Sequence, residues 1–123
     1  MSDNITHVTD GDFEAQVLGS AEPVLVDFWA EWCVPCHMVS PVVEEIARDH
    51  AGRMKAVKLN VDDNPDTARR YGVMSIPTLI VFKDGQEQAR VVGARGKDAI
   101  VREFEGYLPA AADGDAAPRA EQA

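Results

Sequence analysis

The chain has two cysteines, Cys33 and Cys36, and they stand three positions apart in AEWCVPCHM, residues 30–38. Three chemistries can use a pair at this spacing. A structural bridge is one, but crosslink stabilisation grows with loop length, so a loop this short constrains the unfolded chain least. A structural zinc site is another. It wants four ligands, usually two Cys- or His-rich pairs. Beyond this one pair the sequence offers His7, His37 and His50, with no second pair at ligand spacing. The third is dithiol–disulfide exchange, which needs two sulfurs within reach of each other and one that ionises readily.

The elements around the pair favour the third chemistry. Upstream, PVLVDFWA (23–30) is a nearly continuous apolar run rich in β-branched and aromatic residues, as in a strand covered on both faces. Downstream, apolar residues at 38, 39, 42, 43, 46 and 47 fit an amphipathic helix with Gly52 just past its end. Pro41 lies inside that helix and is expected to bend it. The cysteines therefore sit where a buried strand hands over to a helix. Amides at a helix start lack partners, and the macrodipole favours negative charge there. Cys33, at the mouth of the helix, is expected to be the thiolate nucleophile. Cys36 lies one turn on, where Cβ atoms are ~5–6 Å apart, and a disulfide wants ~3.5–4.5 Å. A small adjustment closes that gap, so Cys36 can resolve a mixed disulfide at Cys33. Pro35 falls in the first turn, where a missing donor is harmless.

The rest of the chain supplies a scaffold. THV near residue 7 is a weak first strand. Asp10 can cap a short helix carrying Phe13 and Val17 that ends at Gly19. KAVKLNVD is a further strand. NPDTARRYG presents Asn64 as N-cap, Pro65 at the first helical position and Gly72 as stop. Two β-rich runs flank KDGQ, an Asp-Gly hairpin turn, and KDAIVREFEGYL closes as a helix. The order βαβαβαββα is an α/β fold: a central mixed five-stranded sheet flanked by four helices.

Residues 109–123 contain seven alanines, two prolines and no large apolar side chain. Such a segment cannot bury enough surface to offset its ordering entropy, and is expected to be a disordered tail. Hydrophobic residues make up 46% of the 123, as in a soluble globular domain. The net charge of -9 argues against non-specific nucleic-acid binding. No apolar run approaches the ~20 residues of a membrane span. The opening MSDNITHVTD has neither a basic start nor an apolar stretch, so the expected address is cytoplasmic.

With these residues in view, the chain resembles the thioredoxin family. The resemblance runs through VDFWAEWCVPC, Pro41 with VVEEIA, KLNVDDNPDTARRYGVMSIPTL and FKDGQ with VGA, in order. It implies a thioredoxin fold over residues 1–108 and reduction of protein disulfides through Cys33 and Cys36. It implies no bound cofactor and no metal, only the redox-active Cys33–Cys36 disulfide, with electrons coming from NADPH by way of a thioredoxin reductase. The implied partners are that reductase and disulfide-containing client proteins, with no nucleic acid and no membrane, and the chain acts as a monomer.

The resemblance also extends the site. Alternation along 23–30 places Asp27 with Leu25 and Trp29. A carboxyl there is either raised in pKa by burial or satisfied by local hydrogen bonds. The family match makes Asp27 the base for Cys36 and Lys58 a modest tuner of its proton. Ile76 and Pro77 match a family cis bond that faces the dithiol and leaves backbone groups free for an extended substrate. Gly93 matches a glycine that lets substrate backbone approach. Trp32 joins the docking rim, as do Val34 and Pro35.

Two departures stand out. Val34 replaces the commoner glycine and stiffens the first turn. His37 replaces the commoner Lys or Arg and is expected to add a pH-dependent contribution to the reactivity of the pair. Two rival functions share the fold: an oxidase or isomerase of an oxidising compartment, and a binding subunit without electron transfer. The absence of a leader-like segment weighs against the first. Intact Cys33, Cys36, Asp27 and Pro77 weigh against the second.

Overall fold

The computed structural model describes residues 5–108; the segment 109–123, read above as a tail, lies outside the described residues. Among the described residues five strands form one sheet in the order β1-β3-β2-β4-β5. These are β1 (Thr6–His7), β2 (Val24–Trp29), β3 (Lys55–Asn60), β4 (Thr78–Lys83) and β5 (Gln86–Val92). β3 runs parallel to β1 and β2, while β4 is antiparallel to β2 and β5. The described residues also form three helices, α1 (Val34–Asp49), α2 (Pro65–Arg70) and α3 (Lys97–Phe104), and a wide π-type turn at Glu14–Leu18. The mixed sheet and the four helical segments match the order expected from the sequence.

Alternation along β2 divides the core. Val24, Val26 and Phe28 point to one side, with Phe13, just before the π-type turn, Val17 within it and Ala68 of α2. Leu25 points to the other, with Val39, Val43 and Ile46 of α1 and Ile100 and Phe104 of α3. Burial on both faces is why β2 reads as a continuous apolar run. Asp84 and Gly85 connect β4 to β5, both with positive φ, 57° and 77°, as a two-residue hairpin turn of this kind requires. α1 runs unbroken through Pro41.

Two expected side-chain caps are not formed, although Asn64 does hold the N-cap position of α2. Asp10 does not cap the segment that follows it. Its carboxylate crosses the fold to the start of α2, where it accepts hydrogen bonds from the Asp66 and Thr67 amides at 3.2 and 2.8 Å and from the Thr67 hydroxyl at 2.6 Å. Asn64, the residue before α2, makes no side-chain cap. Instead its Oδ1 accepts from the Asp10 amide at 2.9 Å and its Nδ2 donates to the Asn60 carbonyl at 3.1 Å. The reason is tertiary: a six-residue helix is too short to stand alone, and the distant carboxylate fills the role of the local one. Burial alone would push the Asp10 carboxyl up, but the Thr67 hydroxyl and the two amides outweigh it and hold it below the ordinary 3.8.

A lowered carboxyl contributes stability at pH values above the unfolded pKa, and that contribution is lost as pH falls through the folded value. Asp10→Ala should cost roughly 1–2 kcal/mol of unfolding free energy near neutrality. Denaturant melts should show this deficit shrinking toward strongly acidic pH.

Candidate functional site

Cys33 occupies the N-cap of α1, with extended backbone (φ -89°, ψ 103°), and Cys36 is three residues in. The two form a disulfide, Cα to Cα 5.3 Å. The Cys36 amide donates to Cys33 Sγ at 3.2 Å, and the Cys33 carbonyl accepts from the Cys36 and His37 amides at 3.1 and 3.3 Å. A sulfur thus stands where a Ser or Asp oxygen commonly caps a helix. Pro35 falls at the second helical position, so the amide it lacks is one that would have had no intrahelical partner. The first turn carries no acidic side chain to compete for the positive end of the helix.

Both cysteines are almost wholly buried. They pack with Ala30 and against Trp29, Val61 and Ile76. Cys33 Sγ lies 3.8 Å from the Ile76 carbonyl oxygen. The Ile76–Pro77 bond is cis. Pro77 is buried, and its carbonyl accepts from the Gly93 amide at 2.8 Å. Gly93 has φ 94°, a conformation that L side chains rarely adopt, and a Cβ there would meet nothing within 4 Å. Glycine is therefore required for its backbone and leaves that approach open.

Several large apolar side chains on the segments that carry or flank this buried pair are exposed. Trp32 is 67% exposed, Val34 68%, Met38 66% and Met74 92%. The Trp32 indole is fixed by donation from Nε1 to Asp62 Oδ2 at 2.8 Å. Val61, which touches the cysteine cluster, also lines an open groove of about 410 Å³ with Pro65, Ala68, Arg69, Gly72, Val73 and Met74. His37 is exposed; its Nε2 lies 2.7 Å from the Glu31 carbonyl, to which it can donate, and its ring meets Trp29 edge-on at 6.1 Å.

The polar part of the site lies in the sheet. Asp27 on β2 is fully buried and stands beside Lys58 of β3 in the parallel register. Neither carboxylate oxygen has a hydrogen-bond partner among the described residues. Burial pushes the Asp27 carboxyl up to about 7, and the Lys58 charge offsets part of that rise. Of the two readings open in the sequence, burial is the one the structure takes. Lys58 is itself buried, so it does not reach out to solvent; its ammonium donates to Ser40 Oγ at 2.7 Å and lies 4.9 Å from the centre of the Trp29 ring.

The fold thus brings Cys33, Cys36 and Ile76 into one cluster, joins Pro77 to Gly93, and places Asp27 beside Lys58. Val34 and Pro35 face solvent. Ser40, Val61 and Asp62 belong to the same neighbourhood and did not stand out in the sequence. The one signal for Ser40 is its place four residues after Cys36. Among the described residues no group of three or more His, Cys, Asp or Glu could hold a metal ion, and no helix is long and apolar enough to cross a membrane.

Residues 4–105 match the thioredoxin family model. A thioredoxin of Mycobacterium tuberculosis (strain H37Rv) is 58% identical over 102 residues, 83% of this chain and 88% of that protein. A thioredoxin of Pseudomonas aeruginosa is 54% identical over 100 residues, 81% of this chain and 93% of that one. The chain is also similar to part of a bifunctional thioredoxin reductase/thioredoxin of Mycobacterium leprae, at 53% identity over 102 residues, 83% of this chain and 22% of that protein.

An unfolded Asp ionises near 3.8 and the folded one near 7. The neutral buried carboxyl therefore costs nothing extra below the first value. Stability is lost as pH rises toward the second, and the loss levels off above it, at roughly 4 kcal/mol or less. Asp27→Asn should match the parent protein near pH 4 and exceed its stability by up to that amount above pH 7, a difference that paired denaturant melts across pH will read.

Proposed function

The chain belongs to the thioredoxin family and is a thiol–disulfide oxidoreductase; from that premise we propose the following division of labour. In the reduced protein the Cys33 thiolate attacks a client disulfide. A Cys33–client mixed disulfide forms, and one client sulfur leaves as thiolate. Asp27 takes the Cys36 proton, and Cys36 attacks Cys33 Sγ. The Cys33–Cys36 disulfide closes, the second client sulfur leaves, and two electrons have passed to the client. Lys58 tunes the proton on Asp27. Cys33 as the N-cap sulfur of α1 is the observation that carries this reading, because amide donation and the helix dipole both favour negative charge on it.

Trp32, Val34, Pro35, Ile76, Pro77 and Gly93 form the docking rim. An extended client segment lies across the Ile76–Pro77 and Gly93 backbone, with apolar contact to Trp32 and Val34. The groove lined in part by Val61, which packs against the cysteine cluster, offers further apolar contact. A thioredoxin reductase drawing on NADPH restores the dithiol. This is supported by the Mycobacterium leprae relative, whose name joins the two activities in one chain. The protein works as a cytoplasmic monomer with no bound cofactor, residues 1–108 forming the redox domain and 109–123 a dispensable tail.

Insulin disulfide reduction with a reductase supply tests the assignment. Cys33→Ser should lower the rate at least ~1000-fold. Cys36→Ser should instead accumulate the covalent client adduct, visible on a non-reducing gel. Turnover surviving in Cys33→Ser would contradict the scheme. In stopped-flow, Asp27→Ala should slow the resolving step roughly 100-fold or more near neutrality while the protein stays folded. Resolution at the parent rate at every pH would remove Asp27 from the mechanism.

A further inference from the structure

Asp27 and Lys58 are opposite charges on adjacent strands, side by side in register and both buried. Such a pair ordinarily closes on itself, because each charge is costly to bury without a partner. Here it does not. Neither Asp27 oxygen has a hydrogen-bond partner among the described residues, and the Lys58 ammonium is turned toward Ser40 Oγ at 2.7 Å and the Trp29 ring at 4.9 Å. Ser40 stands four residues after Cys36 on α1, hence on the same helix face. Its hydroxyl supplies an acceptor for the ammonium, and the ring face adds a cation–π attraction.

We propose that Ser40 is a positioning residue for the redox reaction: it holds the Lys58 ammonium on the Trp29 side and keeps it out of an ion pair with Asp27. The carboxyl is thereby left free to accept and return the Cys36 proton. This rests on the role proposed above for Asp27, but the geometric link does not. Coulombic attraction grows as separation falls. An ammonium released from Ser40 can turn to the unpartnered carboxylate beside it in register, and its approach would favour the ionised carboxyl. Closed into an ion pair, Asp27 would be a poorer base for a thiol.

The other groups near the carboxyl leave Lys58 as the charge that matters. β4 sets Leu79 opposite Asp27. The buried face of α1 carries Cys36, Val39 and Val43, and α3 contributes Ile100 and Phe104. Of these only Cys36 titrates, and only when reduced. His7 and His37 meet the Trp29 ring, each at 6.1 Å; like Lys58 they are gathered at the tryptophan. Lys58 supplies the charge felt at Asp27.

The test uses the oxidised full-length protein, in which neither cysteine titrates. The Asp27 carboxyl carbon is followed by ¹³C NMR as a function of pH. Ser40→Ala should lower its titration midpoint by roughly half a unit or more, and Ser40→Thr, which restores the hydroxyl, should return it to within about 0.2 unit of the parent. Lys58→Met should raise the midpoint, and Ser40→Ala added to that background should leave it there. A midpoint unchanged or raised by Ser40→Ala overturns the proposal, as does a shift that persists without Lys58. Should Ser40→Ala fail to fold by circular dichroism, the near-isosteric pair Ser40→Thr and Ser40→Val carries the same comparison. No turnover is involved, so an Asp27 that responds as described but is idle in catalysis would sink its role as base and leave the Ser40 link standing.

Discussion

A backbone N–H pointing at a sulfur is the contact on which the rest of this structure depends. The Cys36 amide, at the start of α1, donates to Cys33 Sγ at 3.2 Å. The sulfur takes the place of a capping oxygen, and the dipole of a sixteen-residue helix stands behind it. The neighbouring elements each serve this placement. β2, buried on both sides, delivers the chain to the right point at the sheet's end. Pro35 fills a position where its missing donor costs nothing. The absence of an acid in the first turn leaves the amides for the sulfur.

The second constraint is dryness. A buried carboxyl keeps its proton to about pH 7 because ionisation there forfeits water. The strand period of two does this work. It puts Asp27 on the face of β2 that carries Leu25 and that packs under α1 and α3, rather than at an edge. The same period brings Lys58 to that face, and α1 adds Ser40 one turn beyond Cys36. One helix therefore carries the two sulfurs and the hydroxyl that accepts from the Lys58 ammonium.

Features set by local chemistry were legible in the sequence. Asp84 and Gly85 announce a turn because few residues tolerate positive φ at adjacent positions. The PVLVDFWA run announces a strand buried on both faces, and the cysteine spacing announces exchange chemistry. Features set by distant partners were not. Asp10 reads as a cap for the segment after it, yet its carboxylate lies at Thr67, a partner no local window contains. Lys58 beside Asp27 was expected from family resemblance, but the direction of its ammonium depends on a serine eighteen residues away and a ring on the next strand. The strand order, with β3 between β1 and β2, likewise follows from packing on both faces rather than from any local signal.

The claim that helix amides stabilise an anion on Cys33 is tested most directly by alkylation. In reduced Cys36→Ser protein, which leaves Cys33 as the one thiol, the rate of reaction with iodoacetamide is measured against pH. The account predicts half-maximal reactivity at least about one unit below the ~8.5 of free cysteine. A profile centred at or above the free-cysteine value would contradict it.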